Sequence, residues 1–419
     1  MDNLLSLAMI WASVILSFWF AKKTSLTPLV YYLVAGSLLV NFGLLPTEPT
    51  PFIQGFSEFG IILIMFALGF EENPTTFLRS AKRSWGIALF GAITPFFAAY
   101  LLALYFWHDQ NIALLVGLTM TATAVSLTMM VLKHENLHLT KAATGIITSA
   151  VLDDVASLVL VAVLVPIVAG NEVPTLMGVG IILLKAIGFF VLIFLCAISI
   201  FPIKEKEPSD NHLSFFDRYG LNNLLAFNDG RDATLAILMV AVTFGAIAHL
   251  MGLHSAVGAY MAGLIMTPAL FYIDKKGEPI NRYKKTRKII DDVAFSWIGP
   301  VFFVNLGAKL LFDLDLIVSV LDETLILVLV IFIAQVSSAS LAARYTGHYS
   351  YEESLMIGFG MLGRAELAFV VMDIGYVHNA IFTTEVFYTL MFTAFALNIL
   401  VPLCIRFWTP YFNASRHAK

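Results

Sequence analysis

The chain alternates long apolar runs with short polar ones. A helix needs about 20 consecutive apolar residues to cross a bilayer. By that measure thirteen helices are predicted, over roughly 3–20, 26–45, 53–70, 84–106, 111–132, 142–169, 175–202, 232–251, 254–273, 292–308, 318–343, 352–376 and 384–408. The one long polar stretch lies at 203–231 and reads as a cytoplasmic linker with an interfacial amphipathic piece. It leaves six helices, a seventh, and six more. That count predicts an all-α polytopic membrane protein with two six-helix halves of opposite topology, a common transporter plan. The expected organisation is a single membrane domain over 1–408. Within it, repeat one covers about 1–170, a linker helix 175–202 and repeat two about 232–408, with a short tail at 409–419.

Composition agrees with the pattern. Of 419 residues 59% are hydrophobic and 13% charged, against about 25% charged in soluble domains. This excludes a disordered or nucleic-acid-binding chain. The two cysteines, Cys196 and Cys404, lie in apolar runs and imply no disulfide framework. The start, MDNLLSLAMI, is acidic where a signal peptide is basic, so it reads as a retained first span. Lys and Arg orient the chain. With the N-terminus outside, Lys22, Lys23, Arg79, Lys82, Arg83, Lys133, Lys141, Lys204, Lys206, the basic stretch 275–288, Arg344 and Arg406 all face the cytoplasm. The opposite loops carry Glu48, Asp109, Glu172, Asp313, Asp315 and Asp322, and Lys309 as their only basic residue. The positive-inside rule then gives N-out, C-in.

A few polar residues sit inside the spans. Asp153 and Asp154 lie near the middle of the run Ala142–Ala169. One carboxylate at that depth costs roughly 2.5–3.5 kcal/mol on insertion scales, and a second beside it costs more because like charges repel. Such a pair points to binding a cation, carrying a proton, or both in turn. Neighbours on a helix point about 100° apart, so both can border one cavity. A dehydrating Na⁺ or Li⁺ and protons would compete for their oxygens. The fifth run carries Thr121 and Thr123 beside small residues. That pattern suits a locally unwound helix whose freed carbonyls face a cation, or threonines bonding back in an ordinary helix. The twelfth run carries Arg364 and Glu366. At i, i+2 they face different partners, in structural ion pairs or in transport itself. Lys185 reads as snorkelling or locally paired, and Glu58, Lys309 and Asp373 as interfacial. His249 and His254 flank a short outer turn, where a pH-sensing role has no further support.

Taken in order, these segments resemble the bacterial sodium–proton antiporters of the second monovalent cation:proton antiporter family. The likeness is carried by FGIILIMFALGFEENP, TATAVSLTMMVLKHENL, GIITSAVLDDVASLVLVAV, GLHSAVGAYMAGLIM, GPVFFVNLG and GFGMLGRAELAFVV. It spans nearly the whole chain. The resemblance implies a dimerisation domain and a six-helix core domain with crossed, unwound fifth and twelfth helices, placing Thr121, Thr123, Arg364 and Glu366 near the crossing. It also implies elevator-like alternating access, a homodimer in a bacterial inner membrane, Asp154 as the main cation and proton carrier, and no cofactor.

Two departures stand out. Electrogenic members carry a lysine paired with the first aspartate, and alignment of AQVSSASLAARYTGHYSYEESLMIGFGM puts Gln335 there. A neutral amide cannot hold Asp153 as an ion, so electroneutral exchange, or an altered stoichiometry, is expected. The chain also ends at NASRHAK, without the nucleotide-binding domain of potassium-efflux members, so gating by such a domain is not expected. The alternatives are potassium–proton exchange or channel-like potassium efflux, a sensor that has lost transport, and an intramembrane aspartyl protease. The protease needs two carboxylates meeting across a substrate bond. Adjacent residues on one helix do not provide that, and Asp229-Gly230 lies in a loop.

Overall fold

The structure, a computed structural model, describes residues 3–24, 27–71, 74–170, 233–266, 271–275, 278–281, 283–364 and 366–417, with part of 181–195. Among these, eight helices are long and apolar enough to cross a membrane: Asn3–Thr24, Pro51–Glu71, Ser84–Trp107, Lys141–Ala169, Ala233–Leu250, Tyr283–Gly307, Leu321–Tyr345 and Thr384–Ala414. Pro28–Asn41, Gln110–Thr119 and Ser255–Leu264 are shorter apolar helices. The predicted seventh run falls only partly on described residues, and the linker 203–231 lies outside them.

The ends differ from expectation where helices leave the apolar region. The fourth helix begins at Pro74, so Arg79, Lys82 and Arg83 belong to a helix and not to a loop. Proline suits a first helical turn because the N–H it lacks has no partner there. Counting apolar residues sees only the buried part of such a helix. The last helix likewise runs on to His417. The fold is all-α as expected, with one small addition. Tyr272–Lys275 and Glu278–Asn281 pair as an antiparallel hairpin, Lys275 opposite Glu278. Neither YIDK nor EPIN alternates apolar with polar positions, so the pairing leaves no two-residue pattern in the sequence.

Residues Met1–Pro49, Thr75–Asn171 and Phe303–Lys419 form one compact unit, and Thr50–Pro74 with Glu172–Phe302 another. In the first, a Cβ on Gly36 would overlap the Val304 carbonyl, and a Cβ on Gly307 the Leu33 carbonyl. In a membrane, helices gain little from burying apolar side chains, and small residues let backbones pack closely. The turn after Gly307 is pinned by hydrogen bonds. Leu310 O accepts from Ser37 Oγ at 2.6 Å and Asn41 Nδ2 at 2.9 Å, and Tyr388 donates to Leu311 O at 3.0 Å. Asp373, expected at an interface, ends its half-helix. It is buried and pairs with His378 Nδ1 at 3.1 Å, because a π-helical turn, Ile374–His378, brings the chain back over it.

The second unit uses the same close approach. A Cβ on Gly69 would overlap Tyr260 O, and one on Gly263 would overlap Phe66 O. His254 caps helix Ser255–Leu264, its Nδ1 accepting from Ala256 N at 3.3 Å. Glu58 and Lys185 are exposed.

Candidate functional site

Two helices of the first unit are broken in mid-course. Gln110–Thr119 ends, residues 120–124 are not helical, and the helix resumes as Val125–His134. Tyr351–Gly360, opened by a Ser350/Glu353 capping box, ends before a second break and resumes as Glu366–Asp373. A break inside a membrane frees backbone groups that must find partners within the protein. Here the breaks satisfy each other. Ala124 N donates to Gly363 O at 2.9 Å, and Thr128 Oγ1 donates to Gly360 O at 2.6 Å. Gly363 is small enough for the contact. A Cβ there would lie 3.0 Å from the Ala124 Cβ and 3.2 Å from Asn398 Oδ1.

The aspartate helix passes this junction. Asp153 has no exposed surface. Its Oδ2 accepts from Thr123 Oγ1 at 3.1 Å, while Oδ1 has no hydrogen-bond partner. Asp154 is half-buried. Of the two threonines in the break, only Thr123 turns to a carboxylate. Thr121 donates back to Gly117 O at 2.9 Å and so finishes the first half-helix.

Arg364 fills the second break and is 1% exposed. Its Nη1 donates to Gly363 O at 3.1 Å and Leu362 O at 3.3 Å, capping carbonyls that the break sets free. Its Nη2 donates to Gln335 Oε1 at 3.0 Å. Asp153 lies within electrostatic reach of this guanidinium. Gln335 is fully buried, and its Nε2 donates to Gly91 O at 3.1 Å. That carbonyl is free for a local reason. Pro95, four residues on in the same helix, has no N–H to give it. Glu366 is half-buried in the first turn of its half-helix, where the positive end of the helix dipole favours a carboxylate.

The structure thus brings Thr123, Asp153, Arg364 and Gln335 into one network. It also adds residues that the sequence reading passed over. Asn398, fully buried in the last helix, clips the Arg364 backbone at both ends. Its Oδ1 accepts from Arg364 N at 2.7 Å and its Nδ2 donates to Arg364 O at 2.9 Å. Thr128 and the Gly91 carbonyl are the others. An amide in the apolar run TAFALNILVPL, and a proline four residues after Gly91, were the available signals. Among the described residues no cluster of three His, Cys, Asp or Glu forms a metal site. The carboxylate, hydroxyl and carbonyl oxygens gathered here are hard donors.

The family described as "Sodium/hydrogen exchanger, transmembrane" matches residues 10–409. The chain is 25% identical over 389 residues to a Na⁺/H⁺ antiporter of Enterococcus hirae, covering 93% of each. It is 24% identical over 383 residues to the Na⁺/H⁺-K⁺ antiporter GerN of Bacillus cereus, covering 89% of each. Its fold matches that of the sodium proton antiporter MjNhaP1 of Methanocaldococcus jannaschii, with a TM-score of 0.68 at 16% identity over 98% of this chain and 100% of the other.

Proposed function

The chain belongs to the transmembrane sodium/hydrogen exchanger family, and on that premise we propose that it exchanges Na⁺ or Li⁺ for H⁺, with Asp153 and Asp154 as the site both species share. It is a multi-pass membrane protein and a transporter, so the protease alternative falls away. The observation that carries the proposal is Asp153, a carboxylate without exposed surface that Thr123 holds where two broken helices meet.

The chemistry follows from that position. A buried carboxylate needs a proton, a cation or a fixed counter-charge. Proton and Na⁺ compete for the same oxygens, and binding one releases the other. Opening the site to one side at a time turns competition into exchange. Arg364 supplies a charge that stays on throughout, because a guanidinium does not deprotonate in proteins. Its bonds to Gly363 O and Leu362 O hold that charge at the negative end of a half-helix. Gln335 bridges Gly91 O and Arg364 and has no proton to release. Proton carriage therefore falls to the carboxylates, and where one cation displaces one proton from the pair the exchange moves no net charge.

The same proposal includes Asp154 as the main carrier, Thr121 and Glu366 as supports of the two breaks, and an elevator-like movement of a core domain in a homodimer. It includes inverted six-helix repeats and a bacterial inner membrane with N-out, C-in orientation, supported by the Lys and Arg distribution and by the bacterial relatives. The K⁺ alternative draws support from the likeness to GerN, whose name includes K⁺. It changes the ion and leaves the site as it is.

Ligand binding to a carboxylate displaces its proton. Adding Na⁺ to weakly buffered, purified protein is therefore expected to acidify the medium in the wild type and not in Asp154→Asn. K⁺ acting in place of Na⁺ would favour the second ion. No acidification with any alkali cation would sink the shared-site proposal.

A further inference from the structure

Helix Lys141–Ala169 carries hydroxyl side chains that behave in two ways. Thr144, Thr148 and Ser149 donate to the carbonyls four residues earlier, of Thr140, Thr144 and Gly145, at 3.3, 2.7 and 2.8 Å. That is the usual fate of such a hydroxyl in an apolar helix. Ser157 departs from it. The residue is 0% exposed, and its Oγ has no hydrogen-bond partner. Asp153 Oδ1, one turn earlier, is also buried without one. Buried polar atoms are nearly always paired, and these two lie one turn apart on one face of one helix.

Helical geometry relates Ser157 to both aspartates. At about 100° per residue, Asp154 points about 100° from Asp153, and Ser157 about 40° from it, one turn further on. Ser157 therefore lies between the two carboxylate directions. Cα–Cβ bonds tilt toward the helix N-terminus, so its hydroxyl leans back over the pair. Thr123 occupies Asp153 Oδ2 and leaves Oδ1 for another partner.

We propose that Ser157 Oγ is a ligand of the transported cation, completing with the two carboxylates a site of hard oxygens suited to Na⁺ and Li⁺. This rests on the reading that the aspartates hold the cation. A hydroxyl is neutral, so Ser157 raises affinity without altering how many protons are exchanged. Oxygen is also what separates it from a mere space-filler, since sulfur of similar size is a poor ligand for hard cations.

The test compares Ser157→Ala and Ser157→Cys with wild type and Asp154→Asn in liposomes carrying an internal pH dye, titrated with Na⁺. Both Ser157 variants are expected to raise the apparent KM for Na⁺ about tenfold, with maximal rate kept within about twofold and the Na⁺:H⁺ ratio unchanged. In detergent, both are expected to lose most of the Na⁺-dependent rise in melting temperature, which gives a readout even for a poorly reconstituted variant. A wild-type KM in both overturns the proposal. So does a raised KM in Ser157→Ala alone, which marks a packing role, or a lowered rate at unchanged KM, which marks a folding role. In those cases loss of exchange in Asp154→Asn leaves the shared-site reading standing. Exchange that survives in Asp154→Asn removes both.

Discussion

Asn398 and Gln335 hold Arg364 by complementary means. One side-chain amide offers both a donor and an acceptor without a charge, which suits a place where a second ion would disturb Asp153. Asn398 takes the Arg364 N–H and C=O, and Gln335 takes a guanidinium N–H. Asn398→Leu keeps the volume and strands both backbone groups. Each stranded group costs about 1–3 kcal/mol, so thermal unfolding in detergent is expected well below wild type, and an unchanged midpoint would mean that the break is held by other contacts. Some of this was legible in the sequence. Asp153, Asp154 and Arg364 stood out as charges in apolar runs. Asn398 did not, because its partner lies 34 residues away in sequence, and apolar runs do not tell which helices are neighbours. Thr121 and Thr123 looked alike, and only the local backbone sends one hydroxyl to Gly117 and the other to Asp153.

Broken helices survive in an apolar setting only where each freed group is recovered. The contact of Ala124 N with Gly363 O does this across the two breaks, and the Arg364 guanidinium does it within one. Tight contact follows, so Gly363→Ala is expected to cost about 1–3 kcal/mol as an overpacked site. Gly55→Ala is its control. A Cβ there meets nothing within 4 Å, and alanine is the better helix former by about 1 kcal/mol, so stability is expected to hold or rise. Equal melting of the two variants would contradict the close fit of the breaks. The unwinding at 120–124 was legible as one of two readings of Thr121-Ala122-Thr123-Ala124. The early start at Pro74 and the hairpin at 272–281 were not, because hydropathy marks what the bilayer covers and says little about structure beyond it.

At the scale of the whole molecule, the family and the membrane character were legible from run length and motif order, since both are properties of the entire chain. The relation between the two compact units is not a property of run lengths, and repeats, dimer and elevator movement remain parts of the proposal. Gln335 gives the proposal an electrical consequence. With a side chain that releases no proton beside Arg364, imposing a membrane potential on proteoliposomes is expected to leave the rate of exchange unchanged. A rate that follows the potential would overturn the one-for-one stoichiometry. The central claim is that the buried carboxylates are the shared carrier, and one measurement addresses it most directly. Purified protein is placed in liposomes with an internal pH dye, and Na⁺, Li⁺ or K⁺ is added to wild type and to Asp154→Asn. Proton movement that requires Na⁺ or Li⁺ and vanishes in the variant is the predicted result. Movement that survives the substitution would contradict the account.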